Sequence, residues 1–133
     1  MSLIDAVDEI LGLAQQIQGF VQTLLQADGF MDEQWTDVQS LERAIKLLGN
    51  ILTELQADVQ ILPASQIISG LAMDCRTPLN ALIGYSHLFM AGVNGTISDH
   101  LRSIFQHIYE LGTTILRIIN DLLDEARANQ VGL

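Results

Sequence analysis

Apolar residues recur at alternating steps of three and four along most of the chain, and this periodicity limits the possible folds more than any other feature. Leu3, Val7, Ile10, Ala14, Ile17, Val21 and Leu24 make the first seam. Side chains at such steps share one face of an α-helix, whereas a half-buried strand needs a period of two. The seam stops at Ala27-Asp28-Gly29, a turn in which Gly29 supplies a left-handed cap. Asp32 is expected to cap a second helix, with Val38, Leu41, Ile45, Leu48, Leu52, Leu55, Val59 and Leu62 on its seam. Pro63 disfavours helical geometry at Leu62 and ends or kinks that helix.

A third helix is predicted from about Ala64 to Ala91, with Ile68, Leu71, Cys75, Leu79, Leu82, Ser86 and Phe89 on its seam. Pro78 lies inside it, where it removes a backbone hydrogen bond and bends the axis. After the turn Gly92-Val93-Asn94-Gly95, Thr96 and Asp99 resemble a capping box that opens a fourth helix. Its seam is Ile97, Leu101, Ile104, Ile108, Leu111, Ile115, Ile118 and Leu122. A second stripe of Phe105, Gly112, Leu116, Ile119 and Leu123 widens the apolar face beyond what one neighbour would cover. The fold class is therefore all-α: helical hairpins forming a four-helix bundle.

Composition narrows the function classes. Apolar residues are 49% of the 133 and charged residues 17%, which excludes extensive disorder. Sixteen acids against six Lys and Arg give a net charge of −10, the wrong sign for nucleic acid or an anionic membrane surface. The charge steps at Pro63. Residues 1–62 hold ten acids and two bases, and residues 63–133 hold six acids and four arginines. This suggests an N-terminal acidic hairpin (1–62) followed by a second hairpin (63–133). No apolar run reaches the roughly 18 residues of a membrane span, and the start MSLIDAVDEI lacks the basic region of a signal peptide. A single cysteine rules out an intrachain disulfide and suits a reducing cytoplasm. A mean hydropathy of +0.31 suggests that some apolar surface closes against another subunit.

The segment Leu71-Ala-Met-Asp-Cys-Arg-Thr-Pro-Leu-Asn-Ala-Leu-Ile-Gly-Tyr-Ser86 resembles the phosphoacceptor helix of sensor histidine kinases. That family typically reads Ser-His-Glu-Leu-Arg-Thr-Pro-Leu-Asn, then an apolar stretch and Gly-Phe-Ser. Ile118-Ile119-Asn120-Asp121-Leu122-Leu123-Asp124 resembles the end of the family's second helix. The resemblance covers roughly residues 64–128. It implies a dimerisation and phosphoacceptor hairpin, two of which pair into a parallel dimeric bundle.

Aligned on Arg76-Thr77-Pro78-Leu79-Asn80, Met73 stands where the family has its phosphorylated histidine. A phosphoacceptor needs a ring nitrogen that attacks the γ-phosphorus of ATP, and a thioether cannot form a stable N–P bond. Asp74 stands at the family's acid that orients the imidazole. Thr77 stands at its water-positioning polar residue. The resemblance thus implies a degenerate site of Met73, Asp74 and Thr77, with no intact catalytic residue. Arg76, Pro78, Asn80, Asn120 and Asp121 are expected to be structural parts of the motif: Arg76 in solvent beside an acid, Pro78 as the bend, Asn80 in local hydrogen bonding. Cys75, where the family has Leu, reads as a small buried hydrophobe, with redox sensing as the alternative. Trp35 reads as a core anchor at one end of the bundle.

The family's docking surface for response regulators maps to Leu79, Ile83, Ser86 and His87, facing residues between Leu111 and Ile119. His87, His100 and His107 read as surface or structural histidines. His100 and His107 lie two turns apart, about 10 Å by helix rise, too far to share one metal unaided. There is no Glu-x-x-His spacing of the di-iron kind and no phosphate loop in Gly92-Val93-Asn94-Gly95. The expectation is no cofactor and no metal. The leading reading is a non-catalytic two-component signalling module that dimerises, relays a helix movement, or docks a response regulator or partner histidine kinase. Two alternatives stay open. One is a segment of a full sensor histidine kinase whose ATP-binding domain lies outside this chain, and the other is a plain monomeric bundle.

Overall fold

The computed structural model describes residues 2–131, with side chains through 129, as five helices. They are α1 (Leu3–Leu25), α2 (Asp32–Asp58), α3 (Ala64–Asp74), α4 (Arg76–Ala91) and α5 (Asp99–Val131). The α3 and α4 helices form one interrupted arm, so the architecture is a four-arm bundle, as the periodicity predicts. Its neighbours are antiparallel. Gln56 of α2 donates to Asp8 of α1 at 2.8 Å, and Gln34 at the start of α2 reaches the Asn94 carbonyl in the α4–α5 connection.

Every seam residue of α1 from Val7 to Leu24 is buried, as are Val38, Leu41, Ile45, Leu48 and Leu52 of α2. They join Leu71, Leu79, Leu82, Phe89, Phe105, Ile108 and Ile115 in a single core that spans both halves of the chain. The boundary at Pro63 falls in the α2–α3 connection, where Pro63 is the residue preceding α3. At the opposite end an aromatic cluster closes the bundle. Phe30 meets Trp35, Phe89 and Phe105 edge-on at 5.2, 5.9 and 6.1 Å, and Phe89 stacks on Phe105 at 4.1 Å.

The apolar face of α5 is wide because α1, α3 and α4 all pack against it within one subunit. On the α1 side, Phe20 stacks on His107 of α5 at 5.0 Å.

Several ends differ from their sequence-based expectations. The α1 helix stops at Leu25, with Gln26 in right-handed geometry as its C-cap, so Gly29 (φ +98°) shapes the loop instead of capping the helix. Asp32 is the first residue inside α2 rather than its cap. Met31 holds the cap position, and its N–H donates to Gln34 Oε1 at 2.8 Å. The α2 helix ends at Asp58, four residues short of its seam, where the N–H groups of Ile61 and Leu62 both turn back to the Asp58 carbonyl. Ser98, not Thr96, caps α5: its hydroxyl accepts from Leu101 N–H at 3.2 Å. Ile67 is fully buried where Ile68 was placed on the seam.

The third predicted helix breaks at Cys75, one turn before its proline. Pro78 has no N–H to offer the Asp74 carbonyl four residues earlier, and its ring crowds that carbonyl. The i→i−4 ladder therefore lapses at 74–75 and resumes with Leu79 N–H donating to the Cys75 carbonyl at 3.0 Å. Gly92, in left-handed geometry (φ +71°), ends α4.

Candidate functional site

The break in the third arm sets the site. Met73, the second-to-last residue of α3, is 72% exposed, an unusual setting for a long apolar side chain. Ser69, one turn earlier, donates its hydroxyl to Met73 Sδ at 3.5 Å. Asp74 and Thr77, the other two residues of the degenerate acceptor site, are exposed on the same side.

Met73 stands on a ridge between two grooves. One, about 590 Å³, runs between the α3–α4 arm and the end of α5, with Ile68, Ala72 and Leu123 below and Arg76 and Arg127 at its edge. The other, about 630 Å³, runs between α2 and the α3–α4 arm and includes Asp74 and Thr77. The three residues carried over from the motif thus meet at one groove, and Arg76 turns to the other. The α2 wall of the second groove, Leu47 above all, was missed in the sequence. Its only signal was an apolar residue off the α2 seam.

The thiol of Cys75 lies at the break itself, without exposed surface. Burial pushes its pKa up to about 12, and the neighbouring Asp74 charge adds to the rise. A thiol held protonated in this way is a poor nucleophile and a poor redox sensor, which leaves the small-hydrophobe reading.

The α4 residues expected to dock a partner separate into two groups. Leu79 and Ser86 have no exposed surface and face the core, so they cannot present a docking surface in this fold. The cause is register, since both sit on the same inward seam as Leu82 and Phe89. Ile83 is half-buried, and a Cβ at Gly112 of α5 would lie 3.0 Å from its Cγ1. His87 is exposed, with its ring 6.1 Å from that of Tyr109. Of the facing stretch of α5, Gly112, Ile115, Ile118 and Ile119 are buried, while Leu111, Thr113, Thr114 and Leu116 are half-buried.

Asn80, Asn120 and Asp121 are exposed, and Arg117 pairs with Asp121 at 3.9 Å along α5. Such a surface pair contributes little to stability. Arg76 is exposed as expected, but among the described residues it is in no ion pair. His100 and His107 are exposed. Among the described residues no group of three or more His, Cys, Asp or Glu is placed to hold a metal ion, and no helix is long and apolar enough to cross a membrane.

A family model described as His Kinase A (phospho-acceptor) domain matches residues 64–131, from the start of α3 to the end of α5. The chain is 32% identical over 78 residues to the histidine protein kinase DivJ of Caulobacter vibrioides, covering 57% of this chain and 13% of DivJ. It is 33% identical over 64 residues to the non-motile and phage-resistance protein of the same organism, covering 47% of this chain and 8% of that protein. It is 36% identical over 61 residues to the cell-division control histidine kinase PdhS of Brucella anthropi, covering 45% of this chain and 6% of PdhS. The chain thus spans a small fraction of the length of these relatives. No solved structure matches it. The family match takes in just over half of the chain and includes the whole arm that carries Met73, together with α5. By that hairpin the chain belongs to the His Kinase A (phospho-acceptor) domain family of two-component signalling modules.

Proposed function

We propose that this chain works in two-component signalling through protein contact, without accepting a phosphoryl group at position 73. The observation that carries this reading is Met73 itself, 72% exposed beside Asp74 and Thr77 and three residues ahead of Arg76 in the Arg-Thr-Pro-Leu-Asn motif. An exposed thioether at that place offers apolar contact where the family's histidine would offer a nucleophilic nitrogen. The response regulator or partner histidine kinase expected from the family would meet the outer face of α4 and α5 at Ile83 and His87. The setting is the cytoplasm, where a lone buried thiol stays reduced.

The N-terminal hairpin adds a feature of this chain's own. In the family two hairpins from two subunits complete the bundle, and here α1 and α2 flank α5 and α4 in the same chain. In this reading the N-terminal hairpin stands in for a second subunit. Homodimerisation, the first expectation for such a module, then falls to faces outside the core.

The test is Met73→His, supplied with ATP and the catalytic domain of a related kinase. The variant is expected to take up label at residue 73 and the native chain is not. Label on the native chain at any residue would overturn the contact-only reading. A second reading is that the hairpin is one segment of a larger sensor kinase, favoured by the 13% of DivJ that the matched region covers. An immunoblot of native extract separates the two, since a band near 15 kDa supports the free module and a much larger one the segment.

A further inference from the structure

We infer that the groove between α2 and the α3–α4 arm is a docking site for a basic amphipathic helix from another protein. The inference rests on the contact-module reading above and names the chemistry of the partner that the Met73 face would take.

The groove has the shape of a helix seat. Its α2 wall is built from positions 47, 51, 54, 55 and 58, and its opposite wall from 66, 70, 73, 74 and 77. Both sets step by i, i+4, i+7, i+8 and i+11, so the α2 wall is one face of a single helix and the opposite wall is one face of the α3–α4 arm, continued across its break at Cys75. Eleven residues at about 1.5 Å each give the α2 wall a length of about 16 Å, or three turns. Because the helices are antiparallel, the walls lie in register, with 47 opposite 77 and 58 opposite 66. An amphipathic helix laid in such a trough presents apolar anchors at i, i+3, i+4 and i+7.

The lining supplies a matching apolar stripe. Leu47, Leu62 and Met73 are 48%, 39% and 72% exposed, and Ile51 and Leu55 are half-buried between them. Gly70 brings the walls together: a Cβ there would stand 2.9 Å from Leu55 Cδ2. Large aliphatic side chains left exposed along one trough, with polar groups around them, mark an interaction surface.

Charge selects the occupant. The rim carries Glu54 and Asp58 on one wall and Asp74 on the other, and among the described residues no Lys, Arg or His lines the groove. The adjacent Lys46 is turned to Glu42 at 3.5 Å, and Arg76 lines the separate groove towards α5. A second copy of this chain is a poor occupant, because each copy carries −10 and its six bases are scattered over α2, α4 and α5. A helix with a leucine stripe flanked by Lys and Arg meets both the floor and the rim.

The experiment uses the full chain and a fluorescently labelled 18-residue Leu/Lys peptide designed as an amphipathic helix, followed by anisotropy and by amide chemical shifts. Saturable binding is expected, with shifts centred on Leu47, Ile51, Leu55, Gly70, Met73 and Thr77. The groove variants Glu54→Lys/Asp58→Lys and Leu47→Asp/Met73→Asp should each weaken it at least about tenfold, with helical content unchanged by circular dichroism. A scrambled peptide of the same charge, lacking the stripe, should bind at least about tenfold more weakly. Equal binding of the scrambled peptide would reduce the effect to general attraction by a −10 surface and overturn the inference. So would shifts confined to α4 and α5, or concentration-dependent shifts of the same groove residues without peptide, which would make it a self-contact. Phosphorylation of the native chain would sink the contact-only reading while leaving groove binding intact. Failed peptide binding with no phosphorylation would sink the groove alone.

Discussion

The ring of His107 on α5 lies nearly parallel to that of Phe20 on α1, with centroids 5.0 Å apart and 9° between their planes. The contact joins the two halves of the chain outside the core they already share. Neither hairpin has a complete apolar environment of its own, so both should unfold together. Leu48→Ala, in the N-terminal hairpin and fully buried, is expected to cost about 2–5 kcal/mol. The loss should appear equally in Trp35 fluorescence and in amide exchange of α4 and α5. Two separate transitions, with only α1 and α2 affected, would show that the halves are independent.

Ser86 is a different kind of buried residue. It has no exposed surface, and its hydroxyl lacks a hydrogen-bond partner among the described residues. A buried hydroxyl without a partner costs about 1–3 kcal/mol in lost hydration, and alanine is the better helix former. Ser86→Ala is therefore expected to raise stability by about 1 kcal/mol, read as a higher urea midpoint at unchanged slope. A lower midpoint would mean that the hydroxyl is bonded in the native state.

Cys75 gives a pH dependence with a definite sign. Its folded pKa is raised from 9.0 to about 12, first by burial and then by Asp74. Protons are thus held more tightly in the folded state, and the resulting stability is fully present below pH 9. It declines as the unfolded chain's thiol ionises above pH 9 and is lost as pH rises towards 12. Cys75→Ala should remove this alkaline slope while leaving the slope below pH 8 unchanged. In the native chain the thiol should react with a disulfide reagent at pH 8 only as fast as the site opens, and at once in denaturant.

What could be read from the sequence was whatever depends on spacing within one helix. The buried faces of α1, α2 and α5 follow from steps of three and four, and the arm's interruption follows from Pro78. The position of that break did not, because the lost bond belongs to the carbonyl of Asp74 and so the helix lapses before the proline. The cap of α5 was misplaced because Thr96 and Asp99 have capping-box spacing, while the hydroxyl that satisfies the helix belongs to Ser98. Leu79 and Ser86 were carried over as docking residues from a resemblance, against their own position on the inward seam. The groove beside Met73 had no linear signature. Leu47 and Gly70 come from different helices, and only the antiparallel packing of α2 on α3 puts them in one trough.

The covering of α5 by α1 leads to a reversal of oligomeric state on truncation. Phe105 and Ile119, on the second apolar stripe of α5, are 0% and 2% exposed in the whole chain. A fragment of residues 63–133 would lose α1 and α2 and bare the inward faces of α4 and α5. A contiguous apolar surface of that kind closes against a like copy, as two hairpins do in the family. Light scattering should therefore give the fragment the mass of two chains and the 133-residue chain the mass of one, 14.6 kDa. Adding back residues 1–62 as a separate chain should compete with fragment self-association, since both cover the same faces. A dimer of the 133-residue chain would instead show that its outer faces self-associate, and a fragment that stays monomeric would show that the N-terminal hairpin does not take the place of a partner.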